Sequence, residues 1–189
     1  ASDEVLEQVA EAAAEDVATF NQEACLASRF LFVEGDRAGI ERFCAKLQER
    51  LGVDRFLASA VAPLPPADLR EEVEMLQVMD EETKIWGKFD GRGLVILTDE
   101  PVAFHPSGKT ANVVHVKALE DAIRHVNVAT QTIGIYPEET KVKLRDRLAN
   151  AGAQRVVRLG SAAKHVGGSP HDAMFPLQRL VHWMSQENA

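Results

Sequence analysis

The sequence is short of cysteine, of aromatic residues and of basic charge, and these shortages exclude several classes of protein. Its 189 residues include two cysteines, Cys25 and Cys44, too few for a disulfide framework or a cysteine-based metal site. We therefore expect a reducing compartment, the cytoplasm. The chain carries 21 basic and 29 acidic side chains, a net charge of −8. A nucleic-acid partner is not expected, because phosphate binding depends on clusters of Lys and Arg.

Long apolar runs are also missing. Runs such as residues 30–33 and 94–97 are far shorter than the roughly 18–20 residues that cross a bilayer, so we expect no membrane span. The acidic start of the chain (ASDE) has neither the basic region nor the apolar core of a secretory signal. Apolar residues still make up 46% of the chain and charged residues 26%, which is typical of a folded globular protein and excludes a disordered or collagen-like chain.

Helical and strand patterns alternate along the chain. A first helix is predicted from Ser2, a capping residue, to about Asn21, and a second after Asp36. Residues 29–34 between them predict a strand buried on both faces. Further strands are predicted at 94–98, 112–116, 132–136 and 155–159, and a last helix at 176–184. This order predicts an α/β fold with a mostly parallel sheet and flanking helices, in one domain covering residues 1–189.

Most motifs that carry chemistry are missing as well. The chain has no G-x-G-x-x-G fingerprint, P-loop or G-x-S-x-G nucleophile elbow, and the G-R-G at 91–93 precedes a strand and predicts a turn. The six histidines are scattered and form no metal-ligand pattern, and we expect His115 and His125 to be partly buried and hydrogen-bonded. His171 follows a turn and is a secondary site candidate, whereas Asp172 is predicted to cap the last helix.

The two thiols are predicted to differ. Cys44 lies in the middle of a predicted helix and is expected to be a buried structural thiol. Cys25 lies where a helix gives way to a strand, where a side chain can be presented at the edge of a sheet. A nucleophilic cysteine needs a thiolate, an oxyanion donor and usually a base. The backbone N–H of Cys25 is a candidate donor, and the nearby amides of Asn21 and Gln22 are candidates for orienting or donating.

The segment around Cys25 resembles a known nucleophile segment. Residues 21–29 (NQEACLASR), followed by an apolar strand, resemble that of the aldehyde dehydrogenase superfamily, although the Gln stands three positions before Cys25 and not two. The closer resemblance is to LuxC-type reductases of fatty acyl-CoA or acyl-protein. It covers nearly the whole chain, including residues 14–25, residues 130–134 (TQTIG) and residues 170–172 (PHD) with the apolar residues after them.

The resemblance implies a reductive thioester chemistry. Cys25 would form an acyl-enzyme from an acyl-CoA or acyl-protein thioester, and hydride from NADPH would release an aldehyde. In this superfamily the cofactor domain and the general-base glutamate precede the cysteine, and the longer protein is expected to be a homo-oligomer. Only 24 residues precede Cys25 here, so we expect the catalytic half of a longer reductase that alone binds NADPH poorly.

Two alternatives stay open at this point. One is a non-catalytic scaffold with the same fold, kept for oligomerisation or partner binding. The other is a member of a different subfamily, such as an aldehyde-oxidising enzyme or a phosphate-ester reductase.

Overall fold

The computed structural model describes residues 1–79 and 82–187 and confirms the α/β class. The helices are α1 (Asp3–Ala18), α2 (Arg37–Leu51), α3 (Ala67–Met79) and α4 (Glu138–Ala151). The strands are β1 (Phe30–Glu34), β2 (Lys84–Gly87), β3 (Leu94–Thr98), β4 (Thr110–Val116), β5 (Thr132–Ile135) and β6 (Arg155–Arg158). Short 3-10 segments lie at Thr19–Gln22, Leu119–His125 and Pro176–Leu180.

The strands form two sheets where a single sheet was expected. The larger has the order β1-β4-β3-β2, in which β1 and β3 run parallel to β4 and β2 runs antiparallel to β3. Strands β5 and β6 form a separate parallel pair. Three of these four pairings are parallel, which confirms the mostly parallel arrangement, whereas β2 was not predicted.

Strand β3 lies at the centre of the core. Its five residues are all buried, and successive side chains of a strand point to opposite faces. Val95 and Leu97 belong to the cluster formed with α1 and α2, whereas Leu94 and Ile96 belong to the cluster formed with α3. The sheet therefore has helices on both faces, as a parallel sheet requires.

The prediction that the strand after Cys25 is buried on both faces is wrong. The described β1 pairs with β4 and stands at the edge of its sheet. The first four residues of β1 are only partly buried, and Glu34 is exposed. A run of apolar residues indicates a strand, but it does not reveal how completely the two faces of that strand are covered.

The predicted caps of α1 and α2 are confirmed, but the end of the chain differs from the prediction. Ser2 Oγ accepts from Val5 N at 3.4 Å, and Asp36 Oδ1 accepts from Gly39 N at 2.8 Å. The expected final helix is a 3-10 turn, Pro176–Leu180. Residues 164–187 are exposed, so its apolar positions have little to pack against and a short helix is marginal alone.

The buried carboxylate of Asp16 joins α1 to the smaller sheet. Its Oδ2 accepts from Gly160 N at 2.7 Å, and its Oδ1 accepts from Ala162 N at 2.8 Å. Burial raises the pKa of Asp16, while the two backbone N–H groups oppose that shift. The same residue's carbonyl accepts from Ser28 N at 2.9 Å. Asp16 therefore holds the loop that carries Cys25 and the smaller sheet in one arrangement.

Among the described residues, no helix is long and apolar enough to cross a bilayer.

Candidate functional site

A left-handed turn leads from α1 to Cys25. Phe20, Asn21 and Gln22 have φ values of 51°, 53° and 67°. This backbone region costs roughly 1–2 kcal/mol for each residue that carries a Cβ. Two hydrogen bonds to the neighbouring loop offset part of the cost: Phe20 N donates to the Leu57 carbonyl at 2.7 Å, and Ser59 N donates to Asn21 Oδ1 at 2.9 Å. The segment before Cys25 is thus held in a strained shape, which is common at functional sites.

Gln22 is the main anchor of this turn. Its buried Nε2 donates to the Ser28 carbonyl at 2.9 Å and to the Thr110 carbonyl at 2.8 Å, and its Oε1 accepts from Thr110 N at 3.0 Å. Both hydrogens of the amide are therefore used inside the protein. Of the two roles considered for Gln22, the geometry fits orientation of the nucleophile segment and leaves no hydrogen for a substrate.

The sulfur of Cys25 is at an exposed position and receives a hydrogen bond from a distant residue. Gln131 Nε2, from the loop before β5, donates to Cys25 Sγ at 3.2 Å. The same nitrogen donates to Asp172 Oδ1 at 3.0 Å, and Asp172 Oδ2 lies 3.1 Å from His171 Nδ1. Three segments that are far apart in the chain therefore meet at the thiol.

Sequence reasoning found only part of this cluster. It singled out Cys25 and named His171 as a secondary candidate, and the structure brings both to the same place. It gave Gln131 no role, although the TQTIG string that contains Gln131 was one of the matched motifs. It was wrong on Asp172, which lies in a turn at φ 49°, while Phe175 stands at the cap position of the 3-10 segment.

A cationic side chain lies beside the nucleophile loop. Arg29 donates to the carbonyls of Gln22 (3.1 Å) and Ala27 (3.3 Å) and, through Nε, to His105 Nε2 at 2.6 Å. Burial lowers the pKa of Arg29, and the charges of Glu23 and Cys25 oppose this. Burial and the neighbouring guanidinium also lower the pKa of His105, so its neutral ring accepts from Arg29.

The second thiol has the structural role that was predicted. Cys44 lies in α2 with no exposed surface, and burial raises its pKa to about 12. A thiol with that pKa forms almost no thiolate at neutral pH. Cys44 is therefore unsuited to nucleophilic chemistry.

The remaining candidates have structural surroundings. The ring of His115 is hydrogen-bonded to the Gly35 carbonyl at 3.0 Å, and the ring of His125 stacks on Phe32 with centroids 5.1 Å apart. Residues 91–93 form the expected turn between β2 and β3. Two shallow surface depressions, one beside Arg37 and Asp99 and one beside Glu15 and Leu159, are not lined by Cys25.

Solved structures with the same architecture are aldehyde dehydrogenases. An NADP-dependent glyceraldehyde-3-phosphate dehydrogenase from Bacillus halodurans superposes with a TM-score of 0.58 at 13% identity over 81% of this chain and 35% of its own. An NAD-dependent benzaldehyde dehydrogenase from Corynebacterium glutamicum gives 0.56 at 15% identity, over 80% and 37%. The chain therefore has the fold of the aldehyde dehydrogenases.

The family is narrower than the fold. The chain belongs to the acyl-CoA reductase (LuxC) family, whose profile matches residues 1–183. A long-chain acyl-protein thioester reductase of Vibrio harveyi is 30% identical over 188 residues, and one of Photorhabdus laumondii is 33% identical over 189. These alignments cover 96% of this chain but 38% of each relative, so the chain spans well under half their length. The resemblance read from the sequence is confirmed.

Proposed function

We propose that this chain is the nucleophile-bearing domain of an NADPH-dependent acyl-thioester reductase and that Cys25 becomes acylated. One observation carries the proposal: an exposed thiol stands on a rigid loop with an amide N–H donated to its sulfur. The relatives' description as long-chain acyl-protein thioester reductases supports the substrate class. The acyl donor is an acyl-CoA or an acyl-protein.

The acylation step uses the groups on this chain. The Cys25 thiolate attacks the carbonyl carbon of the substrate thioester, a new C–S bond forms, and the bond to the donor's sulfur breaks. The donor leaves as a thiolate and takes up a proton from water. The tetrahedral species carries negative charge on oxygen, and the backbone N–H of Cys25 is our candidate donor to it. The acyl group is then held as a thioester on Cys25.

The reduction needs more than the residues described here. The sequence has no G-x-G-x-x-G or P-loop, so we assign the cofactor site to further residues of the longer protein, consistent with the share of the relatives that the chain spans. NADPH bound there would supply the hydride for reduction of the acyl group to an aldehyde. We also propose that the longer protein is a cytoplasmic homo-oligomer, the location resting on the two free thiols of this chain.

The test is to map the acyl group. The chain and a longer protein that contains it are incubated with a mass-tagged long-chain acyl-CoA, digested and analysed by mass spectrometry. We expect the adduct on Cys25, its loss in Cys25→Ala and its retention in the matched control Cys44→Ala. An adduct on Cys44, or no adduct on Cys25 in the longer protein, contradicts the proposal.

The alternatives make different predictions in the same protein. An aldehyde-oxidising enzyme accumulates acid and reduced cofactor, whereas the proposed reductase accumulates aldehyde and consumes NADPH. A non-catalytic scaffold forms neither aldehyde nor acid. Cys25 is exposed and its sulfur accepts a hydrogen bond, which does not favour a purely structural thiol.

A further inference from the structure

The amide of Gln131 can contact Cys25 in two orientations, and only one of them presents a hydrogen-bond donor. A carboxamide rotated by half a turn would direct its oxygen at the sulfur. In the structure the nitrogen is the shared atom, 3.2 Å from Cys25 Sγ and 3.0 Å from Asp172 Oδ1. An ionised carboxylate only accepts hydrogen bonds, so it selects the orientation in which nitrogen faces it. The second hydrogen on that nitrogen then serves the sulfur.

The carboxylate is itself held in place. Its other oxygen, Oδ2, lies 3.1 Å from Nδ1 of His171. The backbone closes a tight turn, because His171 N donates to the Met174 carbonyl at 2.8 Å and Met174 N donates back to the His171 carbonyl at 3.0 Å. The two central residues, Asp172 and Ala173, have φ values of 49° and 60°, as a type I′ turn requires. Ala rarely adopts this left-handed backbone region, so the turn that holds Asp172 in place is strained.

We propose that Asp172 is a positioning residue for the chemistry at Cys25, acting by fixing the Gln131 amide with its N–H directed at the sulfur. This inference rests on the proposed function of Cys25. A hydrogen bond donated to sulfur favours the thiolate over the thiol, and the thiolate is the form that attacks the thioester carbonyl. The same N–H serves again when the sulfur leaves with its electron pair as the aldehyde forms. Residues 170–174 thus belong to the site although they lie near the other end of the chain.

The first measurement is the rate at which iodoacetamide alkylates Cys25, followed by peptide mass spectrometry across a range of pH. Gln131→Leu keeps the approximate size of the side chain and removes the donor. We expect it to slow alkylation at neutral pH about tenfold, since a hydrogen bond to a charged group is worth somewhat more than a neutral one. Asp172→Ala should slow it by roughly three- to tenfold, because the amide is then free to turn. In both variants the pH profile should move to higher pH.

The controls separate positioning from general effects. Asp172→Asn still accepts from Gln131 but no longer selects its orientation, so we expect a smaller effect than that of Asp172→Ala. Asp146→Asn removes an exposed carboxylate of α4 whose partner is Arg145, and it should leave alkylation unchanged. Arg29, whose charge interacts with those of Cys25 and Glu23, is intact in all these variants. Asp172→Ala and Asp172→Asn both remove the carboxylate charge, so the difference between them reports the hydrogen bond to the amide and not the charge.

The second measurement is the rate constant for acylation of Cys25 by a long-chain acyl-CoA. In the longer protein, Asp172→Ala should lower this rate constant with little change in the acyl-CoA concentration that gives half the maximal rate. The role of Asp172 is overturned if Asp172→Ala is alkylated at the wild-type rate with the wild-type pH profile while Gln131→Leu is alkylated more slowly. Wild-type rates in both variants overturn the role of the amide as well. If the variants change the alkylation rate as expected but the wild-type protein is never acylated on Cys25, the proposed function is contradicted and the hydrogen-bond arrangement is not.

Discussion

Gly134 of β5 lies directly against the carboxylate of Asp16. A Cβ atom added at Gly134 would stand 2.8 Å from Asp16 Oδ2, closer than real Cβ atoms approach. The backbone of Gly134 is not left-handed, so the requirement for glycine here comes from space alone. The strand that follows Gln131 can therefore approach α1 only because this position has no side chain.

Gly134→Ala should destabilise the protein by about 1–3 kcal/mol, because the added methyl displaces either the strand or the carboxylate. Urea unfolding measures the change. Gly52→Ala is the matched control, since the nearest atoms to its added Cβ are 3.6 Å away. Equal stability of the two variants would show that the contact between β5 and Asp16 is looser than the distances indicate.

Lys109 should be a major contributor to stability. It is fully buried, and its Nζ donates to the carbonyls of Leu51, Ser59 and Ala60, each at 2.9 Å. Burial lowers the pKa of Lys109 to about 8, and the three acceptors match the three hydrogens of the ammonium form. Lys109→Met leaves three carbonyls without this partner, one of them buried and two partly buried, and should cost about 2–4 kcal/mol in urea unfolding.

Lys117→Met serves as the control for Lys109, because Lys117 is exposed. It should change stability by less than about 0.5 kcal/mol, as expected for surface substitutions. If both variants unfold at the wild-type urea concentration, the carbonyl cluster does not need the ammonium group.

The two thiols should differ in their reaction with a thiol reagent. A disulfide reagent such as dithiobis(nitrobenzoate) at mildly alkaline pH should react with one thiol of the native protein and with two after unfolding, because Cys25 is exposed and Cys44 is buried with a pKa of about 12. Native Cys25→Ala should give no fast reaction, and native Cys44→Ala should give one thiol. A fast second thiol in the native protein would mean that α2 opens readily.

Acid should weaken the protein through His105. Its pKa in the folded protein is lowered from 6.5, first by burial and then by the charge of Arg29. Below the unfolded value the unfolded chain binds more protons than the folded one, so this contribution is present above pH 6.5 and is lost as the pH falls. The urea midpoint should therefore drop between about pH 7 and pH 5 by more in the wild type than in His105→Gln.

The exposed His182 provides the comparison for His105. His182→Gln should show the same dependence of stability on pH as the wild type. A drop of the same size in His105→Gln and the wild type would assign the acid sensitivity to other groups.

Local patterns predicted the local structure. Apolar spacing and capping residues located α1 and α2, because the buried face and the start of a helix are determined by residues close together in the sequence. The same reasoning overestimated the last helix, since apolar spacing says nothing about whether a partner surface exists. It also could not detect that β5 and β6 form their own sheet, because pairing between strands depends on residues far apart in the chain.

The site divides in the same way. Cys25 was found from the string around it, and the buried role of Cys44 from its place in a helix. The contact between Gln131 and Cys25 spans 106 residues, and Asp172 reaches the same amide from a further 41 residues along. No local pattern encodes that convergence. It depends on Asp16, which links the smaller sheet to α1. The sequence pattern of α1 does not predict this role for a single Asp among apolar residues.

The long separation of Cys25 from Gln131 has a consequence for synthesis on the ribosome. The chain leaves in order, so the larger sheet, whose last strand ends at Val116, is complete in sequence before Gln131 has been added. Closing so long a loop is entropically costly and typically late in folding. A nascent chain therefore carries its thiol without the amide and carboxylate that assist it. We expect the thiol to gain its full reactivity only after residue 172 has left the ribosome.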